Sequence, residues 1–381
     1  MSIDKKNVAP PGALDNDKSA AVAAPDAARV ASLQAAGLWR TEPPTLPAPR
    51  EATAPAHRRR AKKVPFGFRR APSPPSPVHR RLIETGSEIS LSPAARILYQ
   101  HSAFTQVGLP YRDPGASVCE WDREQGRVAL KISAGEARDP KTNRWLKLGI
   151  PFGPKARLIL AYLNGEALRS GSPVIEVEDS LTAFVKRIGL SGHGRDIRVV
   201  KDQLARLFAA QIRMAISLGE DHARQVNAHI VAGFELWFAK NERQRVLWPT
   251  AVQLSLDYFE SLQRHAVPLD ERAVAALSHS AMGLDIYAWL AQRLHRVDPH
   301  RPQFIPWTAL KDQFGQGYSR LRAFRAAFLV VLKAVTTQYP SAALEIDRRG
   351  LTLRNSAPPV ARRLVAPGSR APSVAAIARP S

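Results

Sequence analysis

Residues 284 to 356 constrain the fold of this chain more than any other stretch. Leu284 to Val297 (LDIYAWLAQRLHRV) puts Leu284, Ile286, Tyr287, Leu290, Leu294 and Val297 on one side of a helix. A short extended piece, Gln303 to Trp307, comes next. Thr308 is then placed to cap a brief helix, TALKDQF, which Gly315 and Gly317 stop. Ser319 opens a long helix, SRLRAFRAAFLVVLKAVTTQY, ended by Pro340. Leu344, Ile346, Leu351 and Leu353 alternate with polar neighbours around Asp347-Arg348-Arg349-Gly350. Asp and Gly stand there where a type I turn needs them, so a β-hairpin is expected. Helix, strand, helix, helix, hairpin is the order of a winged helix.

The same order is written once before. Pro154 to Leu168 reads as an apolar-faced helix and Pro173 to Val177 as a strand. Asp179 to Ile188 reads as a capped short helix. A glycine-broken link, Gly189 to Gly194, leads into a long helix expected from Arg195 to Leu218. A hairpin candidate follows, with Val226, Ala228 and Ile230 alternating before Phe234, Leu236 and Phe238. Setting Pro173 against Pro302 also sets Leu181 against Leu310 and Val185 against Phe314, a repeat of architecture rather than of identity. Between the copies, Leu247 to Ala266 and Asp270 to Leu277 supply a strand and two helices. The expected fold class is α+β and helix-rich, with tandem winged-helix modules, β-hairpin wings and disordered basic termini.

Four regions follow. Residues 1–90 hold 13 of the 31 prolines and little apolar periodicity, which predicts a disordered arm. Residues 91–247 form the first module with an N-terminal hairpin (Val118–Trp121 and Arg127–Ile132), preceded by a short helix capped at Ser92. Residues 248–356 form the second module, and 357–381 a disordered tail. The net charge is +22, of which the arm carries +7 and the tail +4, leaving +11 on the folded part. That balance points to a polyanionic partner. Within the arm, His57 to Arg70 interleaves seven cations with Phe66 and Phe68, either a nucleic-acid arm or a solvated basic tail. Cys119 is the only cysteine, which excludes an internal disulfide framework and fits a reducing compartment. No run approaches the roughly 18 apolar residues of a membrane span. A positive-then-apolar signal pattern is also missing at the N-terminus, so a cytoplasmic location is expected, with no membrane partner.

Function is sought on helix faces. In the first long helix Val200, Leu204, Leu207, Phe208, Met214 and Leu218 gather on one side, and Arg195, Arg198, Asp202, Arg206 and Arg213 on the other. In the second, Leu321, Phe324, Phe328, Val331, Leu332, Val335 and Tyr339 form the buried stripe. Arg322, Lys333, Thr336 and Thr337 lie opposite, with Arg325 at the flank. Arg348 and Arg349 sit at the hairpin tip. A helix buried on one side and arginine-studded on the other suits the major groove of double-stranded DNA, where arginine pairs with guanine N7 and O6. The competing explanation is that any amphipathic helix of a basic protein exposes arginines.

Catalytic patterns are weak. A rolling-circle nickase needs two histidines one residue apart, and none of the ten is so spaced. No phosphate-binding loop is present, nor any Gly-Lys pair. A non-enzyme with no metal and no cofactor is expected.

Three blocks carry a resemblance: PFGPKARLILAYLNGEALRSGSPVIEVEDSLTAFVKRIGL, NERQRVLWPTAVQLSLDYFESLQRHAVPLDERAVAALSHSAMGLDIYAWLAQRLHR and LEIDRRGLTLRNS. Together they resemble the plasmid-encoded replication initiator family called RepA, in its C-terminal region, over roughly residues 92 to 360. The resemblance implies binding to repeats (iterons) at a plasmid origin, help in opening the duplex, and recruitment of the host replication initiator and replicative helicase. It also implies a homodimer that represses its own gene. Alternatives are a plasmid repressor without an initiating role, a DNA-nicking or priming enzyme, and a protein-interaction module. Direct repeats beside the gene favour an initiator, and a single inverted repeat at the promoter a repressor.

Overall fold

The computed structural model describes residues 76–138, 143–177, 180–217, 223–233 and 251–361. Helix α1 (Pro77–Leu91) starts at Ser76, whose Oγ accepts the His79 amide. Strand β1 (Ile97–His101) runs into the short helix α2 (Ser102–Gln106). Two hairpins follow, β2 (Glu120–Gln125) with β3 (Val128–Ser133), and β4 (Gly135–Arg138) with β5 (Trp145–Gly149). Helix α3 (Gly153–Ser170) begins with Pro154 in its first turn, where a missing N–H costs nothing. It ends at Gly171, whose φ of 68° closes the last turn. Strand β6 (Val174–Glu176), helix α4 (Leu181–Arg187) and helix α5 (Gly194–Ala209) complete a first run. Strands β7 (Gln211–Ser217), β8 (Ala223–His229), β9 (Val231–Gly233) and β10 (Ala251–Leu254) follow. Helix α6 (Leu256–His265), strand β11 (Ala266–Asp270) and helix α7 (Glu271–Ala276) lead to a second run. This comprises α8 (Ala281–Arg293), β12 (Gln303–Pro306), α9 (Trp307–Phe314), α10 (Leu321–Gln338), β13 (Leu344–Ile346) and β14 (Gly350–Leu353).

The sheets are small and antiparallel, and two of them share one plan. In the order β6-β10-β9, the strand after the first helix pairs with the last strand of its run, which pairs with the one before. The order β12-β14-β13 repeats this, with Gln303 opposite Leu353 and Leu344 opposite the same residue on the far side. Strands β7 and β8 extend the N-terminal hairpin into a four-stranded sheet, β2-β3-β7-β8.

The core is continuous. Helix α8 is buried at every position from Ala281 to Gln292. Trp289, Phe314, Phe324, Phe328 and Trp307 interlock edge to face or tilted, with centroids 5.3 to 5.8 Å apart, and tie α10 to α8 and α9. Helix α1 packs on α7 and α10, where Gln338 Nε2 donates to the Leu82 carbonyl at 2.7 Å. Among the described residues no helix is long and apolar enough to cross a membrane.

Several expectations are corrected. The helix expected from Arg195 to Leu218 stops at Ala209, and Arg213 lies on β7. Ile212 and Met214 are buried while Gln211 and Arg213 are exposed, a period of two that β3 and β8 satisfy from either side. The hairpin candidate around Val226 is likewise β8, paired with β7; Phe234, Leu236 and Phe238 lie outside the described residues. The helix expected from Ser92 is replaced by β1 over Ile97–His101, drawn out by five paired positions with β11, and Ser92 instead ends α1. Of the arm expected to be disordered through residue 90, Pro77–Leu91 is helix α1, and residues 1–75 lie outside the described residues. Of the tail expected to be disordered from residue 357, the first residues are packed: Ala357 O accepts from Tyr339 Oη at 2.7 Å and Val360 is buried, while 362–381 lie outside the described residues.

Candidate nucleic-acid interface

The second run presents α10 beside the β13–β14 turn. Asp347 builds that turn: its Oδ1 accepts the amides of Arg349 and Gly350, both at 2.7 Å, and these bonds hold the carboxyl below the usual carboxylate range. Gly350 is needed because a Cβ there would stand 2.1 Å from the Ile305 carbonyl oxygen. Arg348 and Arg349 project from the turn. Arg349 lies over the Phe304 ring at 5.5 Å with its side chain 83% exposed.

Arg325 does not face solvent with them. Its guanidinium sits 5.0 Å above the Trp307 ring and donates to the carbonyls of Asp347 and Arg348 at 3.2 and 3.3 Å. Trp307 adds an Nε1–H bond to the same Asp347 carbonyl, at 3.2 Å. Arg325 therefore fastens the turn to the helix, and the sequence placed it only at the flank. The outward face of α10 carries Arg322, Ala323, Ala326, Val330 and Lys333. The hydroxyls of Thr336 and Thr337 both donate back to the Lys333 carbonyl.

In the first run Ser180 caps α4, accepting from Ala183 N at 3.1 Å. The link to α5 turns through Gly189 and Gly192 at φ 81° and 72°. The start of α5 is held by Asp196, which accepts from Ser191 Oγ at 2.6 Å and pairs with Lys155 at 3.5 Å. The Ser191 bond, ahead of the nearby Lys155 charge, keeps its pKa low. Arg195, Arg198 and Lys201 are exposed along one face, with no ion pair among the described residues. Lys201 was not singled out from the sequence, although its spacing three residues after Arg198 marks the same face.

Arg206 turns inward. Its side chain is 17% exposed, pairs with Asp202 at 3.0 Å and Asp113 at 3.4 Å, donates to the Ile150 carbonyl and lies over Phe152. It is a packing residue, since Asp113 and Phe152 reach it from outside α5. Arg213 is exposed on the four-stranded sheet, opposite Lys131 on β3, and so is separated from the α5 face on which it was expected.

The arrangement offers two exposed cationic helix faces, each on the second of two consecutive helices. The second has a cationic turn beside it.

Residues 150–309 match the family described as "Plasmid encoded RepA protein". The match runs from the start of α3 into α9, and so includes α5 but not α10 or its turn. Two solved structures are similar in part. Domains 2 and 3 of RctB, as selenomethionine derivatives, show 10% identity and a TM-score of 0.43, over 67% of this chain and 98% of that one. A second structure of RctB domains 2–3 shows 10% identity and a TM-score of 0.38, over 70% and 94%. No curated protein matches the sequence.

Proposed function

We propose that this chain is a plasmid replication initiator that binds double-stranded DNA sequence-specifically at repeats in its origin. The observation that carries this reading is the match of residues 150–309 to the plasmid-encoded RepA family. The repeated plan supports it: each run is helix, strand, helix, helix and a closing strand pair (β9 and β10, or β13 and β14) with the same strand order in its sheet, the first run inserting β7 and β8 before that pair. We read both as winged helices. On this reading α5 and α10 are the recognition helices, and the β13–β14 turn is the second wing. Arg195, Arg198 and Lys201 serve one major groove and Arg322 and Lys333 the next, about 10 base pairs away on the same side of the duplex. Arg348 and Arg349 track the backbone or adjacent groove, and their charge draws the polyanion whatever its sequence.

The initiator would then help open the origin and hand it to the host initiator and replicative helicase, and a homodimer would repress its own gene in the cytoplasm. No catalytic step, metal or cofactor is assigned to the chain. The test is footprinting of the purified protein on the DNA flanking its own gene. Protection of clustered direct repeats beside an AT-rich stretch is the expected result. Protection of a lone inverted repeat at the promoter would make it a repressor only, and no protection would overturn the reading.

A further inference from the structure

The β4–β5 hairpin is a feature that neither recognition helix accounts for. It rises from the C-terminal end of α5. Its base is applied there through two glycines: a Cβ on Gly135 would stand 1.9 Å from the Ala209 carbonyl oxygen, and Gly149, at φ 77°, lies against Arg206. Pairing sets Arg138 opposite Trp145 and Glu136 opposite Lys147, and cross-strand partners share a face. One face of the ribbon therefore carries Trp145 with Arg138 beside it and Lys147 two residues on, while buried Ala137 lies on the other.

Trp145 is 66% exposed, the most exposed aromatic side chain among the large hydrophobics of the described residues. A side chain that buries 150–250 Å² in an ordinary core or interface is left in water. Arg138 and Lys147 share its face and Arg144 precedes it in the chain, all three exposed and none held by a carboxylate among the described residues. Among the described residues Glu136 is the one acid on that face. An indole framed by cations attracts a partner that is anionic and also offers flat π-faces. Single-stranded nucleic acid has both, whereas a paired duplex keeps its base faces stacked inside.

We infer that the Arg138–Trp145–Lys147 face of this hairpin binds single-stranded DNA, with an unpaired base stacked on Trp145 and its phosphates on Arg138 and Lys147. This goes beyond duplex recognition and depends on neither α5 nor α10 reading bases. In an initiator it would hold one strand once the duplex has opened.

The test uses the full chain. Affinity for a short labelled oligo(dT) is measured by anisotropy at fixed salt, in parallel with affinity for the protected origin duplex, for wild type, Trp145→Ala and Trp145→Phe. Loss of one stacked base should weaken oligo(dT) binding by about 5- to 100-fold in Trp145→Ala. Trp145→Phe should recover most of it, and duplex affinity should stay within about twofold in both. Thermal melting should be unchanged, because the side chain is largely outside the core. No oligo(dT) binding by wild type, equal binding by Trp145→Ala, or an equal loss on both DNAs would overturn the inference. Trp145-dependent oligo(dT) binding without specific duplex binding would leave it standing and remove the origin-binding proposal instead.

Discussion

Arg157 on α3 and Asp285 on α8 join the two runs from within: Arg157 Nε and Nη2 donate to the two carboxylate oxygens of Asp285 at 2.6 and 2.8 Å, with both residues buried. The rest of the guanidinium is used on the carbonyls of Leu109, Pro110 and Gly153. A buried pair so fully bonded contributes little net stability against an apolar pair, but leaving one charge alone is costly. Arg157→Met should therefore destabilise the fold by about 3–5 kcal/mol in urea unfolding, and Arg157→Met with Asp285→Leu should recover at least half of that. A single variant within about 1 kcal/mol of wild type would contradict this account.

His101 should make stability depend on acid. Its Nδ1 accepts the Ala103 amide at 3.1 Å, so the neutral ring carries its proton on Nε2, which faces Ser261 Oγ at 3.0 Å. Burial, and then nearby His265, lowers its pKa from 6.5 to about 4. The folded value lies below the unfolded one, so the contribution is complete above pH 6.5 and is lost as pH falls through 4. The full span is roughly 3 kcal/mol. Between pH 7 and pH 4.5, wild type should lose about 2–3 kcal/mol more than His101→Gln. Parallel profiles for the two proteins would remove His101 as the cause.

The two helix faces should be separable. Arg195→Ala with Arg198→Ala should erase protection over one part of the footprint, and Arg322→Ala with Lys333→Ala over the other. Removing each side chain that reads a base should cost about 1–3 kcal/mol of binding. The measurement compares native and half-scrambled duplexes at fixed salt. Equal losses on every duplex would make these cations phosphate ligands.

Arg325 should behave as a fastening and not as a charge. Arg325→Lys keeps the cation but lacks the planar fork that spans the Asp347 and Arg348 carbonyls over Trp307. It should weaken specific binding about as much as Arg325→Ala. Rescue by lysine would show a phosphate contact instead. Arg206→Ala, by contrast, should lower the melting temperature and leave the base preference of the folded protein untouched.

Gly86 marks where α1 meets α10. A Cβ there would stand 2.5 Å from the Thr337 carbonyl oxygen and 2.8 Å from Thr337 Cγ2. Gly86→Ala should cost about 1–3 kcal/mol by overpacking and loosen α1, seen as faster hydrogen exchange across residues 77–91. Unchanged exchange there would show that the contact relaxes without strain.

Local chemistry was enough to determine the elements whose signals lie within a few residues. The Asp347–Gly350 turn, the buried stripe of α10 from Phe324 to Tyr339 and the helix, strand, helix, helix order of both runs are legible in the residues themselves, whereas Leu321, expected in that stripe, is 40% exposed. They depend on turn geometry, capping and periodicity, which act over one or two turns of chain. Long-range pairing decided the rest. Ile212 and Met214 suit a helix stripe or a strand equally, and only β3 and β8 alongside made Gln211–Ser217 a strand, carrying Arg213 away from α5. Strand β10 closes the first sheet from about forty residues beyond α5, at a distance no local pattern reports. The arginines show the same limit: Arg198, Arg206 and Arg325 are chemically alike, and a guanidinium can bond a phosphate, a carboxylate or a backbone carbonyl. Which it meets depends on what the fold brings to it: solvent for Arg198, Asp113 and Phe152 for Arg206, and the Asp347 and Arg348 carbonyls for Arg325.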